Sequence, residues 1–506
     1  MNVSSDVGVN VADKSCDTNG SVASSEEIGN EKLSTREKLC YGLGDVSTGL
    51  AVSSVGIFFL KYLTDVVGLS PKYAGLPLVI GRVWDALADP LIGWITDHTE
   101  TRWGRRRPYL LFGAIPYALC FFSLWVVPEF NDQVQIFAYV TVTLLLFNTC
   151  LAVVFVPYTS MTAAITKDYT ERTSLTGYRL TSSQSAMFVG AVFPSVIIPW
   201  IASAKGVEFL DILGLDALLG SWTGTPRAGY LLMGVIFGII AAMSILTTFF
   251  GTRERDLKPL SHPPVHPLTY ASSIFGELQN NRPFQFSVII LVLSECAVAL
   301  VAVMIPYYAD YVINAHDNLE MILGILFLSA ILSIPLVWTP ITRKFGKTET
   351  YRVAVCLYCI PLVCLTFLTP ERANLIYIIA PLAGFFHGAA LMIPWAIVPD
   401  VVEYDELKRG TRREGLFYGG TTLCYKMATA LAVLISSQAL WLFGFVPNVE
   451  QTPSVIIGIK IVIGVLPPMF LLAGAYLSSK YPLTKEKHML ILKELASQNA
   501  LLKCPK

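Results

Sequence analysis

The chain has 506 residues, of which 54% are hydrophobic and 15% charged, with 37 basic and 37 acidic side chains. Soluble proteins carry about 25% charged residues, and a zero net charge offers no basic field for nucleic acid. The charge is also unevenly placed: long apolar runs alternate with short charged loops, the pattern of a chain that crosses a membrane repeatedly.

Residues 1–37 are polar and rich in Ser, Asn, Asp and Glu, with no apolar segment of the signal-peptide kind. They read as a disordered cytoplasmic tail. Twelve stretches then have the roughly 20 apolar residues that a hydrocarbon core about 30 Å thick requires. They are 41–66, 72–96, 108–128, 134–165, 174–203, 228–250, 284–312, 319–342, 352–369, 374–400, 415–445 and 453–479. The Pro-rich stretch 251–283, basic at its start, reads as a cytoplasmic linker between six-helix halves 38–250 and 284–480. Residues 481–506 read as a second cytoplasmic tail. The expected fold is an all-α polytopic membrane protein. Cys356 and Cys359 form a CxxC on an apolar helix without a matching His or Cys cluster, so the cysteines read as small apolar side chains.

Orientation follows from Lys and Arg in the short loops. The loop after the second span carries Arg102, Arg105, Arg106 and Arg107; that after the eighth carries Arg343, Lys344 and Lys347; that after the tenth carries Lys408, Arg409, Arg412 and Arg413. Segments 129–133 and 313–318 have none. Both termini are therefore expected inside, in a plasma or inner membrane. An internal repeat supports two related halves. Trp103-Gly104, Val156-Pro157-Tyr158 and Gly177-Tyr178 recur as Phe345-Gly346, Ile393-Pro394-Trp395 and Phe417-Tyr418, at offsets of 242, 237 and 240 residues. Two halves facing a shared cavity is the architecture of alternating access.

Several charges fall where lipid should be, at a cost of roughly 2.5–3.5 kcal/mol each on insertion scales. Asp85 and Asp89, four residues apart in the second span, share one helical face. Their mutual repulsion would be relieved by a monovalent cation, by a proton, or by a base such as Arg82. Oxygen-only ligands suit a hard ion such as Na⁺, and the lack of His or Cys argues against a transition metal. Pro90 offers a helix break that could free backbone carbonyls. Lys426, deep in the eleventh span, needs a carboxylate partner: Asp45, Asp85 or Asp89. Asp45 could equally be a helix-end residue. Arg179 could fork onto a solute oxygen or bind a lipid phosphate. Glu295 is a further inward-facing acid with no assigned role. Arg102, Arg105 and Arg106 could simply set topology, or could form a gate with Asp97, or with Asp400 and Glu403.

Other classes fit poorly. Gly346-Lys347-Thr348 mimics the end of a phosphate loop, but position 341 is Ile where that motif needs Gly. No nucleophile–base or metal-ligand spacing suggests an enzyme, and no filter-like repeat suggests a channel.

With these motifs in hand, the chain resembles the glycoside–pentoside–hexuronide cation symporters, the melibiose-carrier-like branch of the major facilitator superfamily. The resemblance rests on Tyr62 to Leu69, on Asp85 to Trp94, on Arg102-Trp103-Gly104-Arg105, on Asp400 to Tyr404 and on Lys426, and it spans about residues 38–482. It implies a major facilitator fold, a monomer, and no cofactor other than a coupling ion, Na⁺ or H⁺. It also implies that Asp85 and Asp89 hold the cation and that Asp45, Arg179 and Lys426 serve solute binding and coupling. Phe155, Thr159 and Leu391 stand where the melibiose carrier has an acid, a sugar-stacking tryptophan and an aromatic, so the galactoside pocket is not reproduced. The same branch includes the lysolipid symporters of animals. The expected function is cation-coupled symport of a sugar or glycoside, with lysophospholipid transport as the alternative; Asp45 and its polar surroundings favour the sugar.

Overall fold

The computed structural model describes residues 32–166, 169–212, 214–255, 267–315, 318–410 and 413–503. Most of the N-terminal tail and residues 256–266 of the Pro-rich linker lie outside the described residues. Every regular element among those described is helical. Twelve long helices run α1 Thr35–Val66, α2 Leu76–Asp97, α3 Arg107–Leu124, α4 Gln133–Ile165, α5 Tyr169–Ala202 and α6 Pro226–Gly251 in the first half. The second half holds α7 Arg282–Tyr311, α8 Leu319–Phe345, α9 Lys347–Thr366, α10 Ile376–Arg409, α11 Glu414–Leu442 and α12 Pro453–Ser479.

Eleven of these are long and apolar enough to cross a membrane. The exception is α2, whose Arg82, Asp85, Asp89 and Asp97 dilute its hydropathy although it spans 22 residues. Large apolar side chains such as Phe112, Leu119, Met243, Val353 and Met469 are exposed on the outer surface of the bundle, as helices bathed in lipid require.

The packing repeats after six helices. In the first half α1 packs on α5, α2 on α4, and α3 on α4 and α6; in the second α7 packs on α11, α8 on α10, and α9 on α10 and α12. The halves meet through α1 with α7, α2 with α11, and α5 with α8. The turns before α3 and α9 repeat too: Gly104 (φ +105°) and Gly346 (φ +97°) occupy equivalent left-handed positions, which only glycine adopts at little cost.

Small residues set the closest approaches. A Cβ on Gly384 of α10 would lie 2.1 Å from the Leu326 carbonyl oxygen of α8. Gly384→Val is therefore expected to push the two helices apart and lower thermal stability by about 1–3 kcal/mol or more. A melting curve in detergent unchanged from the native protein would show that this contact is slack.

Some connections are more ordered than the sequence suggests. The linker contains a helix, Pro267–Asn280, and residues past 481 form another, Lys485–Lys503. Glu277 of the first holds Arg409 and Arg413 at 2.8 and 3.1 Å. α1 turns at Gly44–Asp45 and ends in a wide π turn, Tyr62–Val66; α8 has its own π turn at Ile334–Trp338, around Pro335. Such turns relieve the backbone where a ring or a tight contact disturbs the hydrogen-bond ladder.

Candidate functional site

α2 delivers Asp85 and Asp89 to one face, against α11. Pro90 does not break the helix, which runs uninterrupted through it. The effect is smaller than a break: proline lacks an N–H, so the Ala86 carbonyl one turn earlier loses its usual helical partner. Asp85 is buried, with 1% of its side chain exposed, whereas Asp89 keeps 31%. Lys426 reaches across from α11 and places its ammonium 2.5 Å from Asp89 Oδ2 and 3.4 Å from Asp85 Oδ2. Arg82, one turn before Asp85, puts Nη1 3.4 Å from the same Asp85 oxygen. Of the three acids that the sequence offered Lys426, the structure joins it to these two. The cluster holds two negative and two positive side chains. A bound monovalent cation would add a third positive charge, so its entry favours departure of the lysine.

Asp45 sits at the α1 turn and is buried, with Arg179 Nε of α5 3.7 Å from its Oδ2. That distance is an ion pair without a good hydrogen bond. Asp45 Oδ1 and Arg179 Nε are both buried without a hydrogen-bond partner. An unpaired acceptor and donor side by side can each take a polar group from a solute. On the neighbouring α4 face Tyr158 stacks on Tyr41 with ring centroids 5.0 Å apart, and Thr159 turns its hydroxyl back to the Val156 carbonyl.

Between the halves lies a cavity of about 150 Å³. Its walls are mainly apolar, with Val52, Val55 and Ile57 of α1 facing Val298, Val301 and Leu391. Ser53, Arg82, Gln184, Glu295, His387, Tyr425 and Thr429 supply polar points. Glu295 is buried and accepts from Trp395 Nε1 at 2.9 Å, which gives this acid a place in the cavity wall.

Among the described residues, the basic loop and the acids Asp400 and Glu403 of α10 belong to separate clusters. The backbone N–H groups of Arg105, Arg106 and Arg107 all donate to the Glu254 carboxylate, at 2.8–2.9 Å. Arg102 stacks on Trp103, 4.3 Å from the ring centroid, and Arg106 reaches the Ser160 carbonyl. Asp400 pairs with Lys347 and, at 3.4 Å, with His488; the Glu403 carboxylate accepts from His488 Nε2 at 2.5 Å. The Asp97 side chain lies outside the described residues. Glu254 and His488 had no motif around them.

A family model described as "MFS/sugar transport protein" matches residues 40–485. The chain belongs to this family of major facilitator symporters. Within the family, an uncharacterized symporter of Synechocystis is 28% identical over 94% of this chain and 99% of its own. The sodium-dependent lysophosphatidylcholine symporter 1-A of Danio rerio is 26% identical over 90% of this chain and 87% of its own. A proposed sulfoquinovose importer of Salmonella typhimurium is 28% identical, covering 92% and 94%. The inward-open xylose transporter of E. coli superposes with a TM-score of 0.60 at 12% identity, over 90% of this chain and 98% of that one. That likeness shows the fold: two six-helix bundles of the major facilitator type. The family match makes the chain a transporter and not an enzyme.

Proposed function

We propose that this family member is a cation-coupled symporter in which Asp85 and Asp89 hold Na⁺ or H⁺ and Lys426 carries the coupling between the halves. The observation that supports this reading most directly is Lys426 of one half bridging both carboxylates of the other. A cation at the acids displaces the lysine, and the α2–α11 contact between the halves changes with it. One charge moving through 100 mV supplies about 2.3 kcal/mol, enough for about fiftyfold accumulation of a neutral solute.

For the solute, the unpaired Asp45–Arg179 edge favours a group with hydroxyls or an anionic oxygen. The apolar walls of the central cavity favour a substantial apolar part. An amphiphile of the lysolipid class, or a sugar with an apolar aglycone, satisfies both; the bare sugar is the second reading, carried by Asp45 and Arg179 alone. The basic face is assigned to the cytoplasm, with both termini inside, in a plasma or inner membrane. Arg102, Arg105 and Arg106, with Asp400 and Glu403, line that face as separate clusters, and a gate there would form when the halves swing together.

Counterflow in proteoliposomes, with lysophosphatidylcholine beside a disaccharide panel and with imposed Na⁺ or proton gradients, tests the proposal. Gradient-stimulated uptake of one class is expected. Uptake indifferent to both gradients overturns the coupling, and uptake of free disaccharides alone overturns the amphiphile.

A further inference from the structure

A second charged cluster ties the halves together on the face opposite the basic loops, and neither the acids of α2 nor the Asp45–Arg179 pair involves it. Lys61, near the end of α1, pairs with Asp310 of α7 across the division between the halves. The same ammonium lies 3.5 Å from Asp65, one turn along its own helix, and over the rings of Tyr307 and Tyr311 at 5.6 and 5.2 Å. Tyr311 donates its hydroxyl to Asp65 Oδ2 at 2.7 Å, and the hydroxyls of Thr64 and Tyr307 are 2.7 Å apart. Asn448, in the loop between α11 and α12, donates Nδ2 to the Asp65 carbonyl at 2.7 Å and its N–H to Tyr311 at 3.2 Å.

The position of the cluster gives it meaning. Along α1, Val52 to Ile57 line the central cavity, while Phe58, Lys61, Asp65 and Val66 line a vestibule of about 1330 Å³. Along α7, Glu295 to Ile305 line the cavity, while Asp310, Tyr311 and Val312 line the vestibule. The ion pair therefore stands between the two spaces.

We propose that the Lys61–Asp310 pair, braced by Asp65, Tyr311 and Asn448, is the latch that closes the central cavity toward this face and must part for the face to open. The proposal rests on the alternating-access reading but not on any choice of solute or ion. Breaking a partly buried pair strands two charges unless each finds another partner. Here Lys61 can remain with Asp65 on its own helix, while Asp310 turns to the vestibule. The handover lets α1 and α7 separate without leaving the lysine unpaired.

The test uses purified full-length protein with spin labels on cysteines placed at Asp132 and Val449, one on each half at this face. Distances are recorded against protein without the two added cysteines. Lys61→Gln and Asp310→Asn are each expected to raise the long-distance population relative to the short by roughly tenfold, between the values of exposed and buried pairs. The exchange Lys61→Asp with Asp310→Lys is expected to restore the short population. Asn448→Ala removes the bracing bond from Nδ2 to the Asp65 carbonyl without stranding a charge, and a smaller shift in the same direction is expected even if a charge variant fails to fold. Distributions unmoved by the single variants and by Asn448→Ala, or an exchanged pair as open as the singles, would overturn the latch. Because the readout is a distance, a failure of transport coupling leaves it unaffected.

Discussion

Asp85→Asn is expected to abolish accumulation driven by a cation gradient while exchange of solute across the membrane continues. Asp85 is almost wholly buried, and its carboxylate faces both Lys426 and Arg82. Asparagine keeps the shape and removes the charge, so the site loses the attraction for a cation while the two basic groups remain. Gradient-driven accumulation should fall from as much as about fiftyfold to near unity. Counterflow measured with and without Na⁺ and at two pH values reads this directly. Asp89→Asn should act in the same direction and less strongly, because 31% of the Asp89 side chain is exposed and water shares in solvating the ion. Sodium or proton dependence that survives Asp85→Asn would remove Asp85 from the cation site.

Lys426→Ala should produce the second large effect, on stability and on ion response together. Deleting one partner of a buried ion pair costs about 3–5 kcal/mol, discounted here because Asp89 is partly exposed and Arg82 still faces Asp85. The acids left behind are then free for a cation without competition from an ammonium. Na⁺ is therefore expected to raise the melting temperature of Lys426→Ala more than that of the native protein, by the usual stabilisation of a state that binds ligand. Adding Asp89→Asn to Lys426→Ala should recover part of the lost stability, since one stranded charge goes with it. A sodium-independent melting temperature in Lys426→Ala, measured alongside a proton titration, would break the link between lysine release and cation binding.

Much of this arrangement is legible in the amino-acid order. The helix positions follow from apolar length, which lipid imposes more strictly than water does. α2 is found in spite of its charges, because its stretch 72–96 still has the apolar length of a span. Lys426 announces a partner by its depth, but spacing cannot choose among Asp45, Asp85 and Asp89; that choice depends on which helices meet across the halves. Pro90 shows the limit of a local rule. Neighbouring helices hold α2 in register, and the ring removes one hydrogen bond without breaking the helix.

Other contacts were hidden because their partners are far apart in the chain. The Lys61–Asp310 pair joins residues 249 positions apart, and its local traces are a Lys–Asp spacing at the end of α1 and one acid near the end of an apolar helix. In this conformation the arginines after α2 and the acids of α10, expected to gate together, belong to two separate clusters. Glu254 gathers the Arg105, Arg106 and Arg107 amides because the start of α3 presents unpaired N–H groups to it. Asp400 finds Lys347 within its own half, and Asp400 and Glu403 both face His488 of the helix that follows it.

The helix Lys485–Lys503 has a practical bearing on how this protein is handled. Its first turns sit against the ends of α8 and α10: Lys485 donates to the Arg343 and Lys344 carbonyls, and His488 faces Asp400 and Glu403. This seam is sewn only after the last span has left the ribosome. A reporter fused directly after Leu483 would leave it unsewn, whereas a tag placed beyond Lys503 keeps the native ending intact.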